Sequence, residues 1–259
     1  MALFQSGNPT LSQKIFDRSR TLEGQMNGTM TVRGTLNKFG FLLFMVLAGA
    51  IYTWYMYYNG QLQTMQTFIL IGAIGGFAAA LAIIFKPTWA PFVAPIYGIL
   101  EGFFVGALSA ILNDAFAKKY PGLVLQAVGL TFAVALAMFL LYNFRIIKPT
   151  QKLKSIVITA TVGLAIFYAI DALLFYAFHI DIPITSWSNN SGMAIGFSIL
   201  VICLAALNFI LDFEMIENGA DMGAPKRMEW YGAFGLLVTL IWLYIEILKL
   251  LSRIASSRN

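Results

Sequence analysis

Residues 206–251 read ALNFILDFEMIENGADMGAPKRMEWYGAFGLLVTLIWLYIEILKLL. The stretch is a hydrophobic helix ending on an aspartate, a short connection carrying both signs of charge, and a second hydrophobic helix with one glutamate near its far end. A carboxylate at membrane depth costs roughly 2.5 kcal/mol or more, so it persists only where protein or water surrounds it. Asp212 and Glu246 are therefore the first candidate functional residues.

Working outward, the rest of the chain has the composition of a membrane protein. Of 259 residues, 59% are hydrophobic and 11% charged, which is about half the charge of a soluble globular chain. Seven apolar segments, at approximately 39–58, 67–85, 91–112, 122–144, 155–178, 192–213 and 230–251, are each long enough to cross a hydrocarbon core of about 30 Å. The expected fold is an all-α integral membrane protein, a bundle of seven transmembrane helices. Residues 1–38 read as a cytoplasmic N-terminal tail, 39–251 as the membrane domain and 252–259 as a C-terminal tail. In the first tail, Leu11, Ile15, Phe16 and Leu22 outline an amphipathic turn or two, or simply an unstructured stretch. It carries both charge signs, so no cleavable leader is read there.

The net charge of +5 comes from short Lys and Arg clusters between apolar runs. That pattern records membrane orientation and argues against nucleic acid as a partner. Twelve of the 17 basic residues fall on the side of the N-terminus, among them Lys14, Arg18, Arg20, Arg33, Lys38, Arg145 and Lys148. Lys118, Lys119, Lys249, Arg253 and Arg258 fall opposite. The excess puts the N-terminus in the cytoplasm; the basic C-terminal end fits less well, and a last helix that re-enters would bring it back inside. The segment LIGAIGGFAAALAI at 70–83 is rich in Gly and Ala, so a neighbouring helix can approach its backbone closely.

Four acids fall within the apolar runs: Glu101, Asp171, Asp212 and Glu246. No Lys or Arg is expected deep in the bundle beside them, so each is read as protonated, hydrogen-bonded, wet or cation-bound. Glu101 lies nearest the midplane, with Tyr97 one turn away. Asn208 precedes Asp212 by one turn and lines the same face. Asp171 and Glu246 count to the outer third, and Lys249 follows Glu246 at i+3, where the bland reading is that the two pair as the lysine snorkels outward. Glu101, Asp212, Asn208 and Glu246 offer the oxygen donors that hard cations want, although no defined metal site is read from them.

Enzyme chemistry and resident cofactors find no support. One histidine, His179, excludes the two-histidine zinc helix, and the one cysteine, Cys203, sits inside an apolar run. The serines nearest His179, Ser186 and Ser188, share its loop. Asp171 and Asp212 count to opposite depths, which argues against an intramembrane aspartyl protease.

Three stretches carry a family resemblance: TMTVRGTLNKF at 29–39, PIYGILEGFFVG at 95–106, and LDFEMIENGA at 211–220 followed by MEWYGAFGLLVTLIWLYIEILKLLS at 228–252. Together they resemble the Bax inhibitor family, the transmembrane Bax-inhibitor-motif family, and within it the bacterial YccA-like branch. The resemblance implies a seven-helix bundle with the last helix central, in the inner membrane of a bacterial cell, and a pH-sensitive calcium leak. It also implies a protonation-dependent latch between an acid closing helix six, here Asp212, and one in helix seven. Leu243, Tyr244, Ile245 and Glu246 resemble the family's Leu-Tyr-x-Asp run, so Glu246 takes that second place. The arginine that engages the latch elsewhere has no match in 67–85, where only Lys86 follows. A latch needs contact, whereas the depth count separates the two acids, so the last helix is expected to start later than Trp230 or to re-enter. Two functions follow as expectations: a passive cation pathway for calcium or protons, gated by membrane carboxylates, or a regulatory protein that binds other membrane proteins, such as a membrane-bound protease.

Overall fold

Helix packing in a bilayer differs from packing in water, because lipid tails are as apolar as leucine and burying one more aliphatic side chain gains little. Close backbone approach and internal hydrogen bonds must hold such helices together. The structure, a computed structural model, describes residues 28–187 and 189–257. The amphipathic turn read around Leu11 to Leu22 lies outside the described residues, as do Ser188 and Arg258.

Among the described residues the chain forms α1 (Val32–Tyr58), α2 (Leu62–Phe85), a short 3-10 turn (Pro87–Trp89), α3 (Ala90–Ala115), α4 (Leu123–Asn143), α5 (Gln151–Phe178), α6 (Gly192–Asp221) and α7 (Met228–Ser257). All seven α-helices are long and apolar enough to span a membrane. The protein is an all-α, multi-pass membrane protein. Its last helix is the most enclosed: 78% of its most apolar stretch is buried, against 17% for α5. The others turn large apolar side chains outward, such as Phe44, Phe77, Phe92 and Leu125, as a lipid-facing surface must.

Local chemistry sets the helix ends. Thr31, in extended conformation, caps α1 by accepting from the Gly34 amide at 3.0 Å. Thr150 caps α5 through the Leu153 amide at 3.3 Å. The α5 C-cap is His179, a non-glycine residue at φ 53°. Pro87 ends α2 by opening the 3-10 turn.

Several helices outrun the apolar segments that announced them. α1 starts at Val32 rather than Phe39, α6 continues to Asp221 rather than stopping near Phe213, and α7 runs from Met228 to Ser257 rather than over 230–251. The expectation that α7 starts after Trp230 or re-enters is corrected: it starts earlier and is unbroken. The reason is that hydropathy stops at the first polar residue, while a helix stops only where its backbone loses its bonds. Polar side chains at these ends are satisfied inside the protein, so the helix continues through them.

The chain packs as two compact units. The first comprises 28–114 with 212–238, and the second 115–211 with 239–257, so α6 and α7 contribute to both. In the first unit α1 and α3 cross on glycine. A Cβ on Gly102 would lie 3.0 Å from the Gly49 Cα, and a Cβ on Gly106 would collide with Ala50. The E-G-x-x-x-G run around Glu101 is thus a helix-crossing surface, with Gly102 and Gly106 one turn apart. Tyr52, Phe68 and Phe103 close the same region as an aromatic cluster, with centroids 4.9 to 5.9 Å apart. The second unit packs Val157 and Leu164 of α5 against Val201, Leu204 and Leu211 of α6, with Trp242 of α7.

Candidate functional site

The second unit holds three of the ionisable groups of α7. Glu246, Lys249 and Arg253 fall at i, i+3 and i+7, one face of the helix. All three are buried, at 5%, 6% and 0% exposure. The expectation that no Lys or Arg lies deep beside the acids is therefore wrong, and so is the reading of Lys249 as snorkelling outward and of Arg253 as part of a tail. Because α7 extends to Ser257, residues assigned to a tail become interior helix positions.

Each charge on this face has a defined partner. Tyr168 of α5 donates to Glu246 Oε1 at 2.9 Å. The Lys249 ammonium lies 5.5 Å from the Tyr168 ring centroid and 5.8 Å from that of Trp187, a cation–π arrangement. The Arg253 guanidinium spends its donors on neutral acceptors: the carbonyls of Ile184, Ser186 and Ala194 and the hydroxyl of Ser198. It ties the connection between α5 and α6 to the last helix. No disordered tail could do this, and the signal for it was the Glu246, Lys249, Arg253 spacing in an otherwise apolar run.

Asn208 lies in the same unit, buried at 1% exposure. Its amide nitrogen donates to Thr161 Oγ1 and to the Leu204 carbonyl, both at 2.9 Å. Its Oδ1 is buried without a hydrogen-bond partner among the described residues. Asp212, one turn on, is completely buried inside α6 rather than at its end, and belongs to the first unit. Asp212 and Glu246 thus fall in different units.

In the first unit, Glu101 is bonded within its own helix. The buried Tyr97 hydroxyl, one turn earlier, donates to its carboxyl, and the Tyr97 ring meets Phe234 edge-on at 4.9 Å. Glu101 Oε1 lies 3.2 Å from where a Cβ on Gly76 of α2 would be, so the Gly-rich stretch admits the carboxyl. Sequence reasoning missed a fifth acid, Glu229, in the first turn of α7. Its carboxylate is fully buried between Lys38 and Lys226, and accepts from the Thr31 amide and hydroxyl at 3.0 and 2.9 Å. Backbone bonds from Met30 to Ala224 and from Lys226 to Gly28 complete the clamp. The signal was present, since 29–39 and 228–252 both belong to the resemblance, but nothing in one dimension pairs them.

The oxygen donors do not assemble a metal centre: among the described residues no three His, Cys, Asp or Glu side chains come together as one. What the arrangement supplies is a set of buried and half-buried ionisable groups, with Asp171, half-buried, one turn from Tyr168. Neither the search of curated proteins nor that of solved structures returns a match. The family model described as Bax inhibitor 1 like matches residues 8–256, which takes in α1 to α6, all of α7 but its last residue, and Glu101, Asp171, Asn208, Asp212 and Glu246. With that match over nearly its whole length, this seven-helix membrane chain belongs to the Bax inhibitor 1 like family.

Proposed function

We propose that the chain is a passive cation pathway, for calcium or protons, gated by protonation of carboxylates at membrane depth. The observation that carries this reading is the burial of acids on successive helices, with Asp212 at 0% and Glu246 at 5% exposure. Acids enclosed among helices meet a proton or cation only when one reaches them through the protein, which is the property a gate needs. Asn208 adds a buried oxygen donor, and Glu101 and Asp171 are the half-buried acids of the set.

The resemblance implies a bacterial inner membrane, and a cytoplasmic N-terminus fits the charge balance better than the sequence count suggested. Lys249 and Arg253 are enclosed in α7, so they do not record topology. By the same standard Lys154, buried in α5, drops out, so Lys118, Lys119 and Arg258 stand opposite eleven basic residues of the N-terminal side.

The same two buried cations favour a second reading. Fixed positive charge beside Glu246 opposes a passing cation, which suits a regulatory protein that binds and modulates other membrane proteins, such as a membrane-bound protease. Purified protein in liposomes with an entrapped calcium indicator and a pH dye separates the two. Calcium or proton flux above that of empty vesicles supports the pathway; flux equal to empty vesicles overturns it and leaves the regulatory reading.

A further inference from the structure

Beyond the buried charges, the second unit holds a cavity of about 410 Å³, which shares Asp171 with the pathway proposed above. One wall is a face of α5: Tyr168, Asp171, Ala172 and Phe175 recur at i, i+3, i+4 and i+7. The other wall is the connection that follows, with Asp181, Ile182, Thr185, Ser186 and Trp187. This wall is built in advance. Thr185 and Ser186 donate their amides to the Ile182 and Pro183 carbonyls, Asn189 donates to Pro183 at 2.7 Å, and Arg253 holds the Ile184 and Ser186 carbonyls from below. A loop so held need not pay ordering entropy when a ligand enters.

We infer that this cavity binds an alkylammonium group, between the carboxylates of Asp171 and Asp181 and the rings of Tyr168, Phe175 and Trp187. Three observations decide the ligand class. The volume falls in the range of small-molecule sites, about 300 to 1,000 Å³, and is far larger than a bare ion needs. A divalent metal wants six or more oxygens around it, and no acid cluster of that kind exists among the described residues. Both charged residues of the lining are acidic, and three of its members are aromatic, the combination that attracts a weakly hydrated organic cation. Lys249 already lies over the Tyr168 and Trp187 rings and interacts with Asp171 as well as Glu246, so an entering cation shares those groups with it and depends on Asp181 and Phe175 for the rest; Arg253 is engaged with the loop carbonyls.

An alkylammonium group reaches this end of the bundle from two sources, a soluble amine or the headgroup of a zwitterionic lipid. The test uses the full chain in nanodiscs of phosphatidylglycerol alone, titrated with tetramethylammonium chloride at constant ionic strength. Calorimetry and Trp187 fluorescence, taken as the difference from Trp187→Phe, report binding. The expected result is saturable binding that weakens about tenfold or more in Asp171→Asn and in Asp181→Asn, the size of effect a lost charge contact produces. Adding phosphatidylethanolamine to the discs then assigns the source: a weaker apparent affinity identifies the lipid headgroup, and an unchanged one a soluble amine. A response that never saturates, or equal binding in the Asn variants, overturns the assignment. So does equal binding of neopentyl alcohol, an uncharged molecule of similar shape, by the unmodified protein, which keeps the test decisive if a variant fails to fold. Binding is read without flux, so the outcome stands apart from that of the cation pathway.

Discussion

Glu101, half-buried, and Glu229, fully buried, both lie in the first unit, and their surroundings make them differ in what a substitution does. Glu101 has one donor, the buried Tyr97 hydroxyl. Glu101→Gln keeps an acceptor for that hydroxyl and is expected to melt close to the unmodified protein. Glu101→Leu strands Tyr97 and is expected to cost about 1 to 3 kcal/mol. Thermal unfolding in detergent checks this, and equal melting of the two variants would count against the hydrogen bond. Glu229 has two lysines and Thr31 around a carboxylate with no exposed surface. Removing it leaves Lys38 without its partner, with an expected loss of roughly 3 to 5 kcal/mol for Glu229→Ala. Lys226 is 48% exposed, so Lys226→Met is expected to cost about 1 kcal/mol or less. The reverse ranking in the same melting series would show that the clamp is held from the Lys226 side.

At the scale of helices, crossing geometry rather than apolar burial sets stability, because the alternative environment is lipid. Gly102 abuts the α1 backbone, whereas Gly129 of α4 has nothing within 4 Å of where a Cβ would be. Gly102→Leu is expected to lose about 1 to 3 kcal/mol or to abolish folding, while Gly129→Leu leaves the melting temperature nearly unchanged. Comparable losses at both positions would mean that the α1–α3 crossing is not the seam. The seven helices were legible in the chain because a 20-residue apolar run has few other uses in water or lipid. Their ends were not. The reading closed α7 at Leu251, and so gave Arg253, a fully buried residue, to a tail. Hydropathy assigns a cation to water by default; only the carbonyls of Ile184, Ser186 and Ala194, brought from another part of the chain, make its burial affordable. The site was legible in the same partial way. Glu246 and Asp212 were singled out as enclosed acids, but Tyr168 as the Glu246 partner required the fold.

For the molecule as a whole, the enclosed α7 matters most, since it carries an acid in each unit, Glu229 in the first and Glu246 in the second. If protonation at membrane depth governs ion passage, flux must follow pH through Glu246 and through Asp212 of α6, not through surface groups or the lysine-paired Glu229. One unit of difference in carboxyl pKa between a closed and an open state corresponds to about 1.4 kcal/mol, enough to change a small open population about tenfold. The decisive measurement is calcium and proton flux in liposomes from about pH 5 to pH 8, the span over which a buried carboxyl titrates, for the unmodified chain, Asp212→Asn and Glu246→Gln. The account predicts a pH-dependent flux in the first and a nearly flat profile in both variants; variants that keep the original pH profile would contradict it.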